Sequence, residues 1–138
     1  MSDVRAEEAA RWLTGADDDL AAIRGCLGVE PKALRGGAYH CQQAAEKMLK
    51  ALLVSAGRPF RYVHDLDELA DECVRIWPHL EADLVEVRPL TKWATAFRYP
   101  GIGETFDHPP EPDRIEAVLA RLVELRTKCE ALTAGISP

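Results

Sequence analysis

The stretch His40–Leu53, HCQQAAEKMLKALL, decides the fold. At 100° per residue, Leu34, Cys41, Ala45, Met48 and Leu52 fall on one narrow stripe, flanked by Ala38, Ala44 and Leu49. His40, Gln43, Lys47 and Lys50 lie almost opposite. Small, closely spaced apolar residues suit tight helix–helix packing, so this segment reads as the central helix of a bundle. Its polar stripe has two readings. One is a solvated helix face, which needs no further reason. The other is a phosphate-contacting face, with Lys47 and Lys50 as point charges and Gln43 bonding to an oxygen, base or ribose.

Outward from that helix, toward the N-terminus, Ala9, Leu13, Ala16, Leu20, Ile23 and Leu27 alternate by four and three residues, which predicts a helix from about Asp3 to Leu27 with one buried stripe. Asp17 and Asp18 read as solvated charge on its outer side. The central helix is expected from roughly Pro31 to Ala56. Gly36 and Gly37 in its first turns each cost about 1 kcal/mol relative to Ala, or else let another backbone approach closely. Gly57 suits its end, and Glu46 with Lys50 forms an i, i+4 pair. After the connector RPFRYVH, a third helix starts at Asp65, whose carboxylate caps it with Glu68 in capping-box register. Leu66, Leu69, Ala70, Cys73 and Ile76 are its core face, and Pro78 stops it.

From Leu80, the positions Leu84, Val87, Leu90, Ala94 and Phe97 keep helical spacing, but Pro89 interrupts them. Proline removes an amide and clashes with the preceding turn, so this fourth helix should be kinked or split near Arg88. GIGETFDHPPEP reads as a long surface loop. The last helix begins near Pro112 and buries Ile115, Val118, Leu122, Leu125, Cys129 and Leu132, leaving residues 133–138 as a frayed tail. Strand signals are lacking. The expectation is therefore an all-α, antiparallel up-and-down bundle of about five helices, forming one domain over residues 1–138.

Composition narrows the function classes. No apolar run approaches the length of a membrane span and the first residues lack an apolar leader core, which together point to a cytoplasmic protein. Cys26, Cys41, Cys73 and Cys129 are scattered singly and read as buried free thiols. No histidine pairs with a cysteine or another histidine at ligand spacing, so neither a metal nor another cofactor is expected. The formal charge of −6 argues against a general nucleic-acid binder. Its distribution is uneven: residues 32–64 hold six basic residues against one acid, and the rest of the chain carries −11. The central helix thus lies in the one basic region of an acidic chain, as an anion-binding surface would.

The order WLTGADDDL (Trp12–Leu20), QQAAEKMLKALL, HDLDEL, FRYP and a final amphipathic helix resembles the HEPN domain family, over nearly the whole chain. The resemblance implies a helical bundle that dimerises, works beside a minimal nucleotidyltransferase in a toxin–antitoxin-like pair, and associates with nucleotide or RNA. It also implies an enzymatic alternative, since some members are metal-independent endoribonucleases that carry Arg and His four to six residues apart in the later part of the domain. A purely structural dimerisation bundle is a third possibility.

The ribonuclease motif does not match here: Arg98 is followed by Tyr99, and nine residues separate it from His108. Arg35 to His40 and Arg58 to His64 satisfy the count but lie outside the family's catalytic region. Were RNA cleaved, a histidine would take the 2′-hydroxyl proton and an arginine would stabilise the phosphorane-like charge. Arg98 with His108 is then the first pair to consider, and His64 the next. Without chemistry, the expected ligand-binding residues are His40, Gln43, Lys47, Lys50 and Tyr99. Two of these candidates have a structural reading as well: His64 as the residue before a helix cap, and Arg98–Tyr99 as a helix end favoured by the dipole.

Overall fold

The structure, a computed structural model, describes residues 3–60, 65–93 and 108–135. Helix α1 spans Asp3–Gly28, α2 Leu34–Ser55, α3 Leu66–Ile76, α4 Glu81–Leu84 and α5 Pro112–Thr133, with 3₁₀ turns at Pro78–Leu80 and Arg88–Lys92. There is no strand among the described residues. The helices form an all-α up-and-down bundle in which α2 packs against α1, α3 and α5.

The apolar stripes carry the packing. Ala9, Leu13, Ala16, Leu20 and Ile23 of α1 are buried, as are Ile115, Val118, Leu122, Leu125, Cys129 and Leu132 of α5. Between them, Ala38, Cys41, Ala44, Ala45, Met48, Leu49 and Leu52 of α2 are fully buried. Four of these seven are alanine or cysteine, and small side chains let neighbouring helix axes approach. Burial does not stop at the stripe, for fourteen of the 22 residues of α2 are buried, among them Gln42, Glu46 and Lys50. A helix covered on nearly every side is a bundle's centre and not a half-solvated surface helix.

The helix ends follow local chemistry. Helix α2 begins at Leu34, three residues beyond Pro31. A Cβ on Gly36 would stand 3.1 Å from Cys26 Sγ, and one on Gly37 3.5 Å from Ile115. The two glycines therefore admit side chains of α1 and α5 against the first turn of α2. At the other end Gly57 has φ +69°. Its amide donates to Val54 O and the Arg58 amide to Leu53 O, the paired reverse bonds of a glycine-terminated helix. Asp65 caps α3 as expected, its Oδ1 accepting from the Asp67 amide at 2.9 Å. The Leu66 amide donates to Thr91 Oγ1 at 2.7 Å.

The Pro89 segment is split as anticipated. Helix α4 ends at Leu84, and the chain continues through the 3₁₀ turn Arg88–Lys92. Leu84, Val87 and Leu90 stay buried across the break, while Ala94 and Phe97 lie outside the described residues. Arg88 ties the split segment to α3. Its Nη1 donates to Asp71 Oδ1 at 2.8 Å and Asp67 Oδ1 at 3.2 Å, and its Nη2 to Glu81 Oε2 at 2.8 Å.

Candidate functional site

The polar stripe of α2 is a seam against α1. His40 and Lys47 are seven residues apart, two helical turns, and so share a face. Between them projects Asp19 of α1, with its side chain 8 % exposed. His40 Nδ1 meets Asp19 Oδ1 at 2.8 Å, and Lys47 Nζ donates to Asp19 Oδ2 at 2.7 Å. A carboxylate only accepts, so Nδ1 of His40 carries the hydrogen and Nε2 is the nitrogen left for another partner. The two side chains remain about one-third exposed, at 32 % and 30 %. Tyr39 stands edge-on to the His40 ring, with centroids 5.2 Å apart.

A second network runs beneath. Gln43 Nε2 donates to Gln42 Oε1 at 2.6 Å, Gln42 Nε2 to Glu46 Oε1 at 2.9 Å, and Lys50 Nζ to Glu46 Oε2 at 2.9 Å. Lys50 Nζ also lies 5.5 Å from the centroid of Trp12 and 5.3 Å from that of Phe60. The two rings meet edge to face at 5.7 Å. This corrects the expectation for Lys50. With 7 % of its side chain exposed it is no surface point charge, and its i, i+4 partner Glu46, also at 7 %, makes the pair a buried one. The physical reason is the lid that Trp12 and Phe60 place over it.

On the solvent side of the seam, Glu8, Arg11, Trp12, Gly15 and Lys47 line a groove of about 410 Å³. Gly15 lets the Lys47 side chain lie close over α1, since a Cβ there would stand 3.3 Å from Lys47 Cδ. Arg11 and Glu8 are exposed or half-buried at its rim, and Arg11 makes no ion pair among the described residues.

The other candidates divide. Gln43 is half-buried between His40 and Lys47 on the same helix face. His108 is exposed, just before the prolines that lead into α5. Arg98, Tyr99 and His64 lie outside the described residues. Asp17 is exposed, as expected, and pairs at the surface with Arg126 of α5: Nε donates to Oδ1 at 2.7 Å and Nη2 to Oδ2 at 3.0 Å. Among the described residues no three His, Cys, Asp or Glu side chains are grouped to hold a metal ion. The cysteines are free, with Cys41, Cys73 and Cys129 buried and Cys26 half-buried. Burial pushes the thiols of Cys41 and Cys73 up to about 12, which removes them as nucleophiles near neutrality.

Asp19 and the burial of Gln42 and Glu46 were missed by the sequence reading, although a signal was present. Trp12, Ala16, Asp19 and Ile23 are spaced by four, three and four residues, so Asp19 falls on the inward side of α1. Gln42, Glu46, Leu49 and Leu53 repeat that spacing on α2. An acid at an inward position needs a partner, and the nearest cations on the facing helix are His40 and Lys47.

No helix among the described residues is long and apolar enough to cross a membrane. No match is found among curated proteins or among solved structures. A match to the HEPN domain family spans residues 9–132, from the first buried residue of α1 to the last core leucine of α5, and the chain belongs to that family.

Proposed function

We propose that this HEPN domain is a nucleotide- or RNA-associated interaction module that acts as a homodimer beside a minimal nucleotidyltransferase, in a toxin–antitoxin-like pair. The observation that carries the ligand part is the Asp19 clamp. A buried carboxylate holds His40 and Lys47 side by side, fixed in direction yet each about one-third exposed. Lys47 uses one of its three donors on Asp19, and His40 offers a second donor at Nε2 when protonated. Gln43 stands between them. Such preset donors suit phosphate oxygens, because little side-chain freedom is lost on binding. The dimer and the nucleotidyltransferase partner are supported by family membership. Lys50 has no part in ligand contact on this reading, and Tyr99 enters no step of it.

The test is titration of the purified chain with ATP and with a short labelled single-stranded RNA, in the wild type and in Lys47→Met and His40→Gln, with the fold of each variant checked by circular dichroism. Loss of one charge-assisted phosphate contact is worth about 1.4 kcal/mol, or roughly tenfold in Kd. Wild-type affinity in both folded variants refutes the seam as the site. RNA recovered intact is part of the expectation. Cleavage abolished by Arg98→Ala or His108→Ala would replace this reading with the ribonuclease one.

A further inference from the structure

We propose that the cleft between the C-terminal turn of α2 and the side of α3 binds a free apolar α-amino acid, with its side chain against Pro59 and Phe60, its carboxylate on Arg58 and its ammonium on Glu68 and Glu72. The site is separate from the Asp19 clamp and does not depend on the clamp meeting phosphate.

The cleft is built by the end of one helix and the side of another. Gly57, with φ +69°, turns the chain out of α2, and the Arg58 amide is held on Leu53 O at 2.9 Å. Pro59 fixes its own φ, so the wall that carries Arg58, Pro59 and Phe60 is stiff. Phe60 is braced as well, edge to face with Trp12 at 5.7 Å and with Lys50 Nζ 5.3 Å from its centroid. Helix α3 supplies Glu68, Leu69 and Glu72. The cleft measures about 370 Å³, within the roughly 300–1,000 Å³ of small-molecule sites.

What it receives follows from its lining. Leu53 and Leu69 are buried beneath it, while exposed Pro59 and half-buried Phe60 present apolar surface. Charge of both signs stands around that surface. Arg58 is exposed and makes no ion pair among the described residues, with Glu68 and Glu72 or with any other acid. Those two glutamates lie one turn apart on α3. Glu72 takes Arg75 on Oε1, and a carboxylate accepts several donors, so Oε2 has room for another. Opposite charges that line one cleft without joining suit a ligand that carries both. A guanidinium matches a carboxylate with two parallel hydrogen bonds, and an ammonium has three donors to share between two carboxylates. An apolar carboxylic acid would meet Arg58 but set its charge against Glu68 and Glu72, and an apolar amine would meet the glutamates but face the guanidinium. A residue inside a peptide carries neither terminal charge. An apolar amino acid, free at both ends, satisfies every side of the cleft.

The experiment is calorimetric titration of the purified chain with L-phenylalanine, L-leucine, glycine, N-acetyl-L-phenylalanine, which lacks the ammonium, and L-phenylalaninamide, which lacks the carboxylate. Phenylalanine and leucine should bind at least about tenfold tighter than glycine, and phenylalanine at least about tenfold tighter than either blocked form, the worth of one charge-assisted contact. Arg58→Gln should erase the difference between phenylalanine and its amide. Glu68→Gln combined with Glu72→Gln should erase the difference between phenylalanine and its N-acetyl form. All three side chains are at the rim, so circular dichroism of both variants should match the wild type. Absence of binding by phenylalanine and leucine overturns the proposal, and so does glycine binding as tightly as they do. A blocked form that matches phenylalanine in the wild type also overturns it, since the ligand would then be a simple acid or amine.

Discussion

Lys50→Met is the substitution that most directly separates a solvated helix face from a buried seam. Methionine keeps the length of the aliphatic stem and removes the charge, so the cavity term is small. What is left behind is the Glu46 carboxylate, with 7 % of its side chain exposed and without the ammonium that neutralised it, while Gln42 Nε2 still donates to it. Stranding one partner of a buried ion pair costs about 3–5 kcal/mol, and the loss of the ammonium from between Trp12 and Phe60 adds to that. A loss near 4 kcal/mol is a large part of the roughly 5–15 kcal/mol that holds a domain folded. In urea unfolding followed by far-UV circular dichroism, with a slope of about 2 kcal/mol/M, the midpoint should fall by about 2 M. Glu46→Gln in the same background removes the buried negative charge, and the double variant should return to within about 1–2 kcal/mol of the wild type. The reasoning fails if Lys50→Met costs under about 1 kcal/mol and the two substitutions add. That result would mean the ammonium is in water and the aromatic lid does not close over it.

Five further outcomes follow from the same structure. Gly57→Ala should lower stability by about 1–2 kcal/mol, because its φ of +69° is left-handed and its new Cβ would meet the Arg5 guanidinium at 2.6 Å; an unchanged thermal midpoint would show that the α2 terminus is not held this way. With an aromatic disulfide reagent at mildly alkaline pH, half-buried Cys26 should react first and the three buried cysteines only with denaturant. The same burial makes a stability claim: Cys41 and Cys73 are raised from 9.0 to about 12, so their contribution is complete below pH 9 and is lost as pH rises toward 12, and Cys73→Ala should flatten that alkaline decline. Thr91→Val removes the acceptor of the buried Leu66 amide and should cost about 1–2 kcal/mol by urea unfolding, against no change if water replaces the hydroxyl. For single-stranded RNA, log K against log salt should have a slope of about −1, as one or two phosphate contacts require; a slope beyond about −3 would instead mean a broad basic surface.

The core was legible because periodicity is a property of one helix at a time. The stripes of α1, α2 and α5 can be read without knowing what packs against them, and every residue expected on the α5 stripe is buried. The Pro89 break was legible for the same reason, since the missing amide and the ring clash act within a single turn. Burial of polar residues is a property of pairs of helices, and there the reading was incomplete. Gln43, Lys47 and Lys50 look alike on a helical wheel. One lines the seam, one is clamped at its surface and one is caged, and the difference arises from Asp19, Trp12 and Phe60, which lie 21 or more residues upstream of the stripe or downstream in the connector.

Charge shows the same distinction at the scale of the whole molecule. Residues 32–64 carry a local excess of +5, which along the chain looks like an anion-binding surface. In space, Lys47 is answered by Asp19 from outside that window, Lys50 by Glu46 from within it, and Lys32 approaches Glu30 at 4.0 Å just before it. The acids of the flanking helices are not a repelling background, for several of them fold onto particular cations. Asp17 takes Arg126, Asp83 takes Lys128, and Asp67, Asp71 and Glu81 converge on Arg88. A cation already paired in this way still donates hydrogen bonds with fixed direction, but it no longer attracts from a distance. At the α1–α2 seam a ligand would therefore meet short-range, directed donors and little long-range attraction.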